Sequence, residues 1–198
     1  MGVKRLRERQ AEATREHLIA VARQRFAEQG YAATSIEDVV HRAGVAKGAL
    51  YHHFSGKHAL FGAVYDTVLA DVVTAFMAKA SAEQEPWASV RAGLSAFLDA
   101  CLDPAFRRIV ILESVSILQP RVREAEIGQV ELPMLRTLLT PIAGAALSGV
   151  AVDPLAHVAL GGLYGAALFI ARSPDPAAAR REVDIVLDTL IGGLRAEA

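Results

Sequence analysis

The chain has 198 residues, of which 53% are hydrophobic and 22% charged, and its formal net charge is −1. Disordered chains combine low hydrophobicity with high net charge, so this composition excludes disorder as the main state and predicts a substantial core. A single cysteine, Cys101, excludes an intrachain disulfide. The basic stretch 1–9 leads into polar residues and not into an apolar secretory segment. We therefore expect a reducing, cytoplasmic setting.

Charge is unevenly distributed along the chain. Residues 1–60 contain ten basic and six acidic residues, a net charge of +4, so the remainder carries −5 to reach the total of −1. This asymmetry favours a polyanion-binding module on a body that polyanions do not attract, and a merely solvated basic surface is the alternative. The basic tail 4–9 either stays solvated or orders along phosphates or in a minor groove when nucleic acid is present.

The spacing of apolar residues predicts an all-α fold. They recur at intervals of three and four almost everywhere, and no convincing run of period-two alternation occurs. The first helix is predicted over 11–29, with Leu18 and Phe26 on its apolar stripe. Gly30 then supplies the left-handed residue that commonly ends a helix.

Two short helices follow the first one. They are predicted over 36–42 and 47–53 and share the tight turn 43–45. The hydroxyl of Thr34 or Ser35 can cap the first of them, because either can accept a hydrogen bond from an orphan backbone N–H group.

The rest of the chain reads as longer helices. A long helix begins at Lys57 and runs to about residue 80, because apolar residues follow helical spacing over some six turns. After the polar break 81–86, five further helices are predicted at 87–101, 104–118, 121–148, 153–172 and 176–196.

The helix 47–53 is too short to persist alone in water, so it must be packed. Its packed side consists of Ala49, Leu50 and Phe54, with Val45 at the turn. The opposite side then groups Lys47, Gly48, Tyr51 and His52. A cation, a residue without a side chain, a phenol and an imidazole suit a negatively charged groove lined with hydrogen-bonding edges. A helix, a glycine turn and a second helix form the arrangement that lays its second member in the DNA major groove.

The same segment resembles the N-terminal signature of the tetracycline-repressor (TetR) family. The resemblance rests on G-Y-x-x-T-S-x-x-D-V, residues 30–39, followed by A-G-V-A-K-G-A-L-Y-H-H-F-x-x-K, residues 43–57. It implies a bacterial regulator with a three-helix DNA-binding head over 1–58 and a helical ligand-binding and dimerisation domain over 59–198. It also implies a repressor that binds a pseudo-palindromic operator as a dimer and is released by a small hydrophobic ligand.

Position by position, the resemblance implies three groups of DNA-contacting residues. The group that fixes the head on the phosphate backbone is Thr34 and Ser35. The group near bases is Ala46, Lys47, Gly48 and His52. The further phosphate contacts are Tyr51, His53 and Lys57. The chain departs from the family at Ala46, where a capping Ser or Thr is common, and a missing hydroxyl costs about 1 kcal/mol in capping.

Several of these residues also fit other roles. Tyr51 can pack against the first helix, and His53 can be a half-buried structural residue. The pair His52 and His53 invites a metal site, but adjacent helical side chains point about 100° apart and cannot share an ion. No cluster of metal-ligating residues lies nearby in sequence, so we expect neither a metal nor a cofactor.

The C-terminal part carries no catalytic motif. Its aliphatic helices contain a few large or polarisable residues of the type that lines apolar ligand pockets, namely Trp87, Phe97, Cys101, Met134, His157 and Tyr164. An ordinary place in the core is the alternative for each of them.

The last two predicted helices suggest self-association. The stretch 154–171 has no formal charge, but its histidine and its many small residues argue against a membrane span. The final helix carries an apolar face that nothing later in the chain can cover, formed by Val183, Val186, Leu187, Leu190, Ile191 and Leu194. A homodimer through 153–172 and 176–196 would cover it in a four-helix bundle, and intrachain packing is the alternative.

Together with the resemblance to the TetR family, these patterns predict a cytoplasmic bacterial transcription regulator, with double-stranded operator DNA, a small-molecule effector and a second copy of the chain as partners. The alternative is a helical small-molecule-binding protein or enzyme whose head has only a structural role. The outward side of the helix 47–53 discriminates between the two alternatives, because a protein that does not bind DNA has no need of a cation, a phenol and an imidazole on one exposed helix face.

Overall fold

The computed structural model describes residues 2–118, 127–145 and 150–196. Its N-terminal half contains five helices: α1 (Gly2–Ala33), α2 (Ile36–Ala43), α3 (Lys47–His53), α4 (Lys57–Ser81) and α5 (Pro86–Ala100). None of the residues in these three ranges forms a strand, and the predicted all-α fold is confirmed.

Among the described residues after 100, there are four further helices. In α6, a π-helical segment, Phe106–Glu113, continues into the short α-helix Ser114–Ile117. In α7, a π-helical turn, Ile127–Glu131, continues into Leu132–Ala145. The last two helices are α8 (Val152–Arg172) and α9 (Pro176–Ala196). Parts of the predicted helix 121–148, namely 121–126 and 146–148, lie outside the described residues.

Helix α1 begins earlier than the sequence pattern predicted, at Gly2 and not near residue 11. The added turns consist mostly of Arg, Glu, Gln and Leu, which have high helix propensity, so a helix forms there without an apolar stripe. Gly30 interrupts the helix as predicted, with φ of 83° and ψ of 172°.

The head is built around the first three helices and the beginning of α4. Leu18 and Phe26 from α1, Val39 from α2 and Leu50 from α3 are fully buried together. The ring of Phe61 in α4 packs edge-on against Phe26, with centroids 5.2 Å apart. Packing against α1 and α4 therefore supplies the stability that the short helices α2 and α3 lack by themselves.

Helix α4 joins the head to the body without a break. It crosses the predicted domain boundary between residues 58 and 59 as one continuous helix, and that boundary stays a prediction. In the body α4 packs closely on α5, where a Cβ on Gly93 would lie 2.9 Å from the ring of Phe76. The close packing makes α4 a rigid connection.

Helices α4 and α8 are long and apolar enough to cross a membrane by length and composition. The core helices of soluble proteins pass the same test, so this is weak evidence for a span. Leu60, Val64 and Phe76 place one side of α4 in the core, and Leu163 and Ile170 do the same for α8.

Candidate nucleic-acid interface

Local capping fixes the geometry of the two short helices. The Oγ atom of Ser35 accepts a hydrogen bond from the backbone N–H of Asp38 at 3.0 Å and so caps α2. At the other end Gly44, with φ of 65°, turns the chain in the left-handed region, and the N–H of Val45 donates to the carbonyl of Val40. This turn sets α3 against α2 as a helix-turn-helix unit.

One side of α3 is presented to solvent. Lys47, Gly48 and His52 are exposed, and Tyr51 has half of its surface accessible, at 50%. Leu50 is fully buried on the other side. The predicted division of α3 into a packed and an outward side is confirmed, and Tyr51 belongs to the outward side. Ala46 precedes α3 without any side-chain cap, as its missing hydroxyl requires.

The outward side contains an ion pair. The Lys47 ammonium lies 2.5 Å from a carboxylate oxygen of Glu37, and both side chains are more than half exposed. Its hydrogen bond holds the pKa of Glu37 below the ordinary value, and the same bond raises the pKa of Lys47. Lys47 is therefore charged and paired with Glu37 in the free protein.

A second ion pair ties α2 to α1. The Arg25 guanidinium donates to Asp38 at 2.5 Å, and Arg42 contacts the other oxygen of the same carboxylate. The hydrogen bond from Arg25 is the main reason why the pKa of Asp38 lies below its ordinary value. This network orients α2 and, through it, α3.

Thr34 is buried, whereas the sequence analysis assigned it to the phosphate backbone of DNA. Only 2% of Thr34 is exposed, and its hydroxyl donates to the carbonyl of Gly30 at 2.8 Å. Gln29 donates to the same hydroxyl oxygen. The side chain thus closes the loop between α1 and α2 from within and does not face a phosphate, whereas the neighbouring Ser35 is exposed.

Lys57 contacts the loop between α1 and α2. Its ammonium donates to the carbonyls of Tyr31 at 2.7 Å and Thr34 at 2.8 Å, with Ala32 at 3.4 Å, and it lies 4.3 Å from the centroid of the Tyr31 ring. Lys57 therefore supports the α1–α2 loop in this structure. Its contact to phosphate stays a prediction.

The same loop is bound to the body through α6. Glu113 accepts a hydrogen bond from the N–H of Tyr31 at 2.9 Å, and Arg108 donates to the carbonyls of Ala27 and Glu28 near the end of α1. A Cβ at Gly30 would lie 2.5 Å from the Glu113 carboxylate, so this close approach needs a glycine. Nothing in the spacing of Arg108 and Glu113 indicates these contacts, which arise from the packing of α6 on α1.

The two adjacent histidines of α3 differ in burial. His52 is exposed and His53 is half-buried, with their ring centroids 5.1 Å apart. Within the three described ranges of the chain, no group of three or more His, Cys, Asp and Glu side chains could hold a metal ion.

The body contains an apolar cavity of about 420 Å³ between α5, α7, α8 and α9. Its inner wall is formed by Trp87, Val90, Leu94 and Leu98 of α5 with Leu139 and Ile142 of α7. Its outer wall includes Val158 and Gly162 of α8 with Val186, Leu190 and Leu194 of α9. Every residue of the lining is apolar, so the cavity suits a hydrocarbon-rich molecule.

Of the six candidate pocket residues, Trp87 lines this cavity and the others do not. Phe97 and Cys101 are buried in the core, and Tyr164 donates to Glu131 at 2.6 Å. His157 is exposed and donates to the carbonyl of Asp153 in its own helix. Met134 lines a separate small pocket next to α4.

The remaining lining residues were missed because they are ordinary aliphatic side chains. Val186, Leu190 and Leu194 of α9 belong to the face for which the sequence predicts self-association; in the structure they are exposed and also line the cavity. The helical spacing of these residues predicts an apolar face on α9, but spacing alone cannot predict a cavity.

Comparisons with known proteins agree on one family. Residues 18–64 match the model of bacterial regulatory proteins of the tetR family, and residues 87–194 match the tetracyclin repressor-like C-terminal domain. The transposon Tn10 TetC protein of Escherichia coli is 32% identical over 105 residues, 53% of this chain and 53% of that protein. The chain thus spans about half the length of this curated relative.

Solved structures cover nearly the whole chain. A TetR-family transcriptional regulator from Pectobacterium atrosepticum is 29% identical and covers 94% of this chain and 96% of its own, with a TM-score of 0.80. A TetR transcriptional regulator from Chloroflexus aurantiacus is 26% identical, covers 93% and 96% respectively, and has a TM-score of 0.74. Together with the C-terminal match, which spans more than half of the chain, these similarities confirm the resemblance found in the sequence. The chain belongs to the TetR family of bacterial transcriptional regulators.

Proposed function

We propose that this protein is a dimeric repressor that binds a pseudo-palindromic operator through α3 and is released by a small apolar effector. The observation that carries the proposal is the outward side of α3, where Lys47, Gly48, Tyr51 and His52 are exposed on the second helix of a helix-turn-helix unit. A helix in this position fits the major groove, where side chains reach base edges.

The residues of the proposed DNA-binding surface have different roles. Lys47, Gly48 and His52 lie near bases, with Ala46 beside them, because they are at the beginning and on the outermost line of α3. Ser35 and Tyr51 contact phosphates, and half-buried His53 contacts a phosphate at the edge of the interface. Thr34 and Lys57 support the interface by fixing the loop that precedes α2.

The repressor acts as a homodimer through α8 and α9. Val158 and Phe169 on α8 and Ile185, Val186 and Leu190 on α9 are large, apolar and exposed in the single chain. TetR-family regulators bind operator DNA, typically as dimers. A two-fold dimer presents two α3 helices to half-sites about one helical turn, roughly 34–36 Å, apart.

Release follows from a change in the spacing of the two heads. Helix α4 runs rigidly from the head into the body, and α6 binds the end of α1 through Arg108 and Glu113. An effector in the apolar cavity would favour an arrangement in which both α3 helices cannot enter adjacent grooves. Couplings of about 1–3 kcal/mol, or 5- to 150-fold in affinity, are typical of such systems. We place the protein in the bacterial cytoplasm, at the nucleoid while it is bound to DNA.

Footprinting on the DNA upstream of the chain's own gene tests the proposal. We expect protection of two half-sites on one face of the duplex, and a loss of protection with Lys47→Ala. Lys79→Ala, exposed at the body end of α4 and outside α8 and α9, is the matched control and should leave the footprint unchanged. Binding that shows no preference among DNA sequences, or that is equal for both variants, would contradict the proposal.

A further inference from the structure

The mouth of the apolar cavity lies on the face that α8 and α9 expose. Val158, Val186 and Leu190 line the cavity and are also 73%, 58% and 61% exposed. Residues of the inner wall, such as Val90 and Leu98, are buried. In a single chain the cavity therefore has a complete inner wall and an incomplete outer wall.

The apolar face continues beyond the mouth. Phe169 on α8 and Ile185 on α9 are exposed at 54% and 68%, and neither lines the cavity. On α8, Gly161 and Gly165 leave open space, since a Cβ at either would meet nothing within 4 Å. Small residues of this kind let a second helix pair approach closely, so the mouth lies within a surface that a second copy can cover.

We propose that the partner subunit closes this mouth, so that the cavity becomes an enclosed effector chamber only in the dimer, and that it takes an uncharged, hydrocarbon-rich small molecule. This inference rests on the proposed function, which supplies the dimer. Effector binding and dimerisation are then linked, and each must strengthen the other by the same factor.

Polar contacts between α9 and α5 hold α9 in place beside the cavity. Arg180 is almost fully buried and donates to Asp99 and to the carbonyl of Ser95 on α5, while Arg91 of α5 pairs with Asp184 and Asp188 of α9. These contacts hold α9 at a fixed position against α5. A movement of α9 that closes the cavity would separate the Arg180 guanidinium, which is only 5% exposed, from its carboxylate partners, and leaving a buried charge unpaired is unfavourable.

The chemistry of the lining selects the class of ligand. All of its side chains are hydrocarbon except that of Trp87, whose indole N–H is a single donor. A carboxylate or an ammonium would lose its hydration and gain no partner of opposite charge there. A well-bound ligand therefore needs at most one polar atom, an acceptor for the indole N–H of Trp87.

Trp87 is the single tryptophan of the chain and gives a direct readout. N-phenyl-1-naphthylamine, an uncharged apolar dye, should bind the dimeric protein and quench Trp87 by energy transfer. We expect 1-decanol to displace it, and ionised decanoate and protonated decylamine to be at least about tenfold weaker competitors. Equal competition by decanoate would overturn the assignment of an uncharged ligand.

The need for the partner is tested with a residue outside the cavity. Ile185→Glu places a charge in the exposed face and should give a monomer, as measured by sedimentation, whose dye affinity falls at least about tenfold by linkage. Ala177→Glu, also exposed and on α9, is the matched control and should retain both the dimer and the dye affinity. If Ile185→Glu stays dimeric, adding Phe169→Glu supplies the monomer.

Two results would overturn the proposal. One is a folded monomer that binds the dye as tightly as the wild type does. The other is a dimer dissociation constant that is the same with and without saturating dye. As a check on location, Ala159→Phe fills the lining and should abolish energy transfer in a folded dimer, and undiminished transfer would place the dye elsewhere. None of these measurements involves DNA, so a failure of the operator-binding proposal remains distinguishable.

Discussion

Glu113 accepts a hydrogen bond from the backbone N–H of Tyr31, although 82 residues separate them in sequence. The carbonyl of the same Tyr31 accepts a hydrogen bond from Lys57 at the beginning of α4. Glu113 of α6 in the body thus binds the backbone N–H of Tyr31, and Lys57 of the connecting helix α4 binds its backbone carbonyl. Tyr31 lies four positions before Ser35, which caps the first helix of the DNA-binding unit.

The first prediction concerns Glu113. Glu113→Ala leaves the Tyr31 N–H without its acceptor, so the free energy of unfolding should fall by about 1–3 kcal/mol. Glu113→Gln keeps an acceptor oxygen and should lose less than half as much. Urea unfolding followed by circular dichroism measures both. Equal losses would show that the charge beside Arg108, and not the hydrogen bond, is what stabilises this contact.

Lys57 provides the second prediction. Lys57→Met keeps the aliphatic stem and removes the three donors, so the carbonyls of Tyr31 and Thr34 lose their partner, at a cost of about 1–3 kcal/mol in unfolding free energy. The slope of log operator affinity against log salt should stay the same, because no phosphate contact is lost. An unchanged stability with a slope shallower by about 2 for the dimer would restore Lys57 as a phosphate contact.

The third prediction compares two glycines. Gly30→Ala places a Cβ at φ of 83° and against Glu113, and should destabilise the protein by about 1–3 kcal/mol. Gly48→Ala meets nothing within 4 Å and lies in a helix, so stability should rise by up to about 1 kcal/mol. Operator affinity should nevertheless fall for Gly48→Ala, because the methyl group would occupy space next to the bases.

Thermal unfolding and fluorescence anisotropy with labelled operator measure the two effects separately. Full operator affinity in Gly48→Ala would show that α3 does not approach the DNA closely at this position.

The fourth prediction concerns the ion pair of Lys47 and Glu37. Glu37→Gln removes the negative charge beside Lys47 on the proposed DNA-binding surface and releases Lys47, so affinity for all DNA sequences should rise. The pKa of Glu37 is already below its ordinary value, so the effect should be constant from pH 5 to pH 8. Lys47→Ala should lower affinity and also change base preference. A loss that is uniform across operator variants would make Lys47 a phosphate contact only.

Cys101 gives the fifth prediction. Burial raises the pKa of its thiol from 9.0 to about 12. The thiol therefore ionises in the unfolded chain before it ionises in the folded one, and its contribution to stability is complete below pH 9 and lost as pH rises towards 12. Cys101→Ala should lack this component. Unfolding in urea at pH 8 and pH 10.5 compares the two proteins, and identical pH dependences would contradict the prediction.

The sequence predicted those features that depend on near neighbours along the chain. The outward side of α3, the cap at Ser35 and the break in α1 at Gly30 follow from helical spacing and local hydrogen bonds, and the structure has all three, although α1 resumes after the break and ends at Ala33. The loop contacts of Lys57 could not be predicted in this way, because its partners, the carbonyls of Tyr31 and Thr34, are 26 and 23 residues away and become neighbours only after folding.

The apolar cavity shows a second limit of sequence reasoning. Large or polarisable residues are typical of pocket linings, yet Phe97 and Cys101 pack in the core. A cavity is a gap left by packing, and its walls here are leucines, valines and isoleucines like those of any core. Residue type therefore could not locate it.

The position of the cavity mouth on the α8–α9 face has a consequence for the cell. If two copies must meet to enclose an effector, then the dose needed for a response depends on how many copies the cell holds. A strain that expresses the regulator weakly would contain a larger share of single chains and need more effector for the same occupancy. Sensitivity to the inducer would then be set by gene expression level as well as by the residues of the chamber.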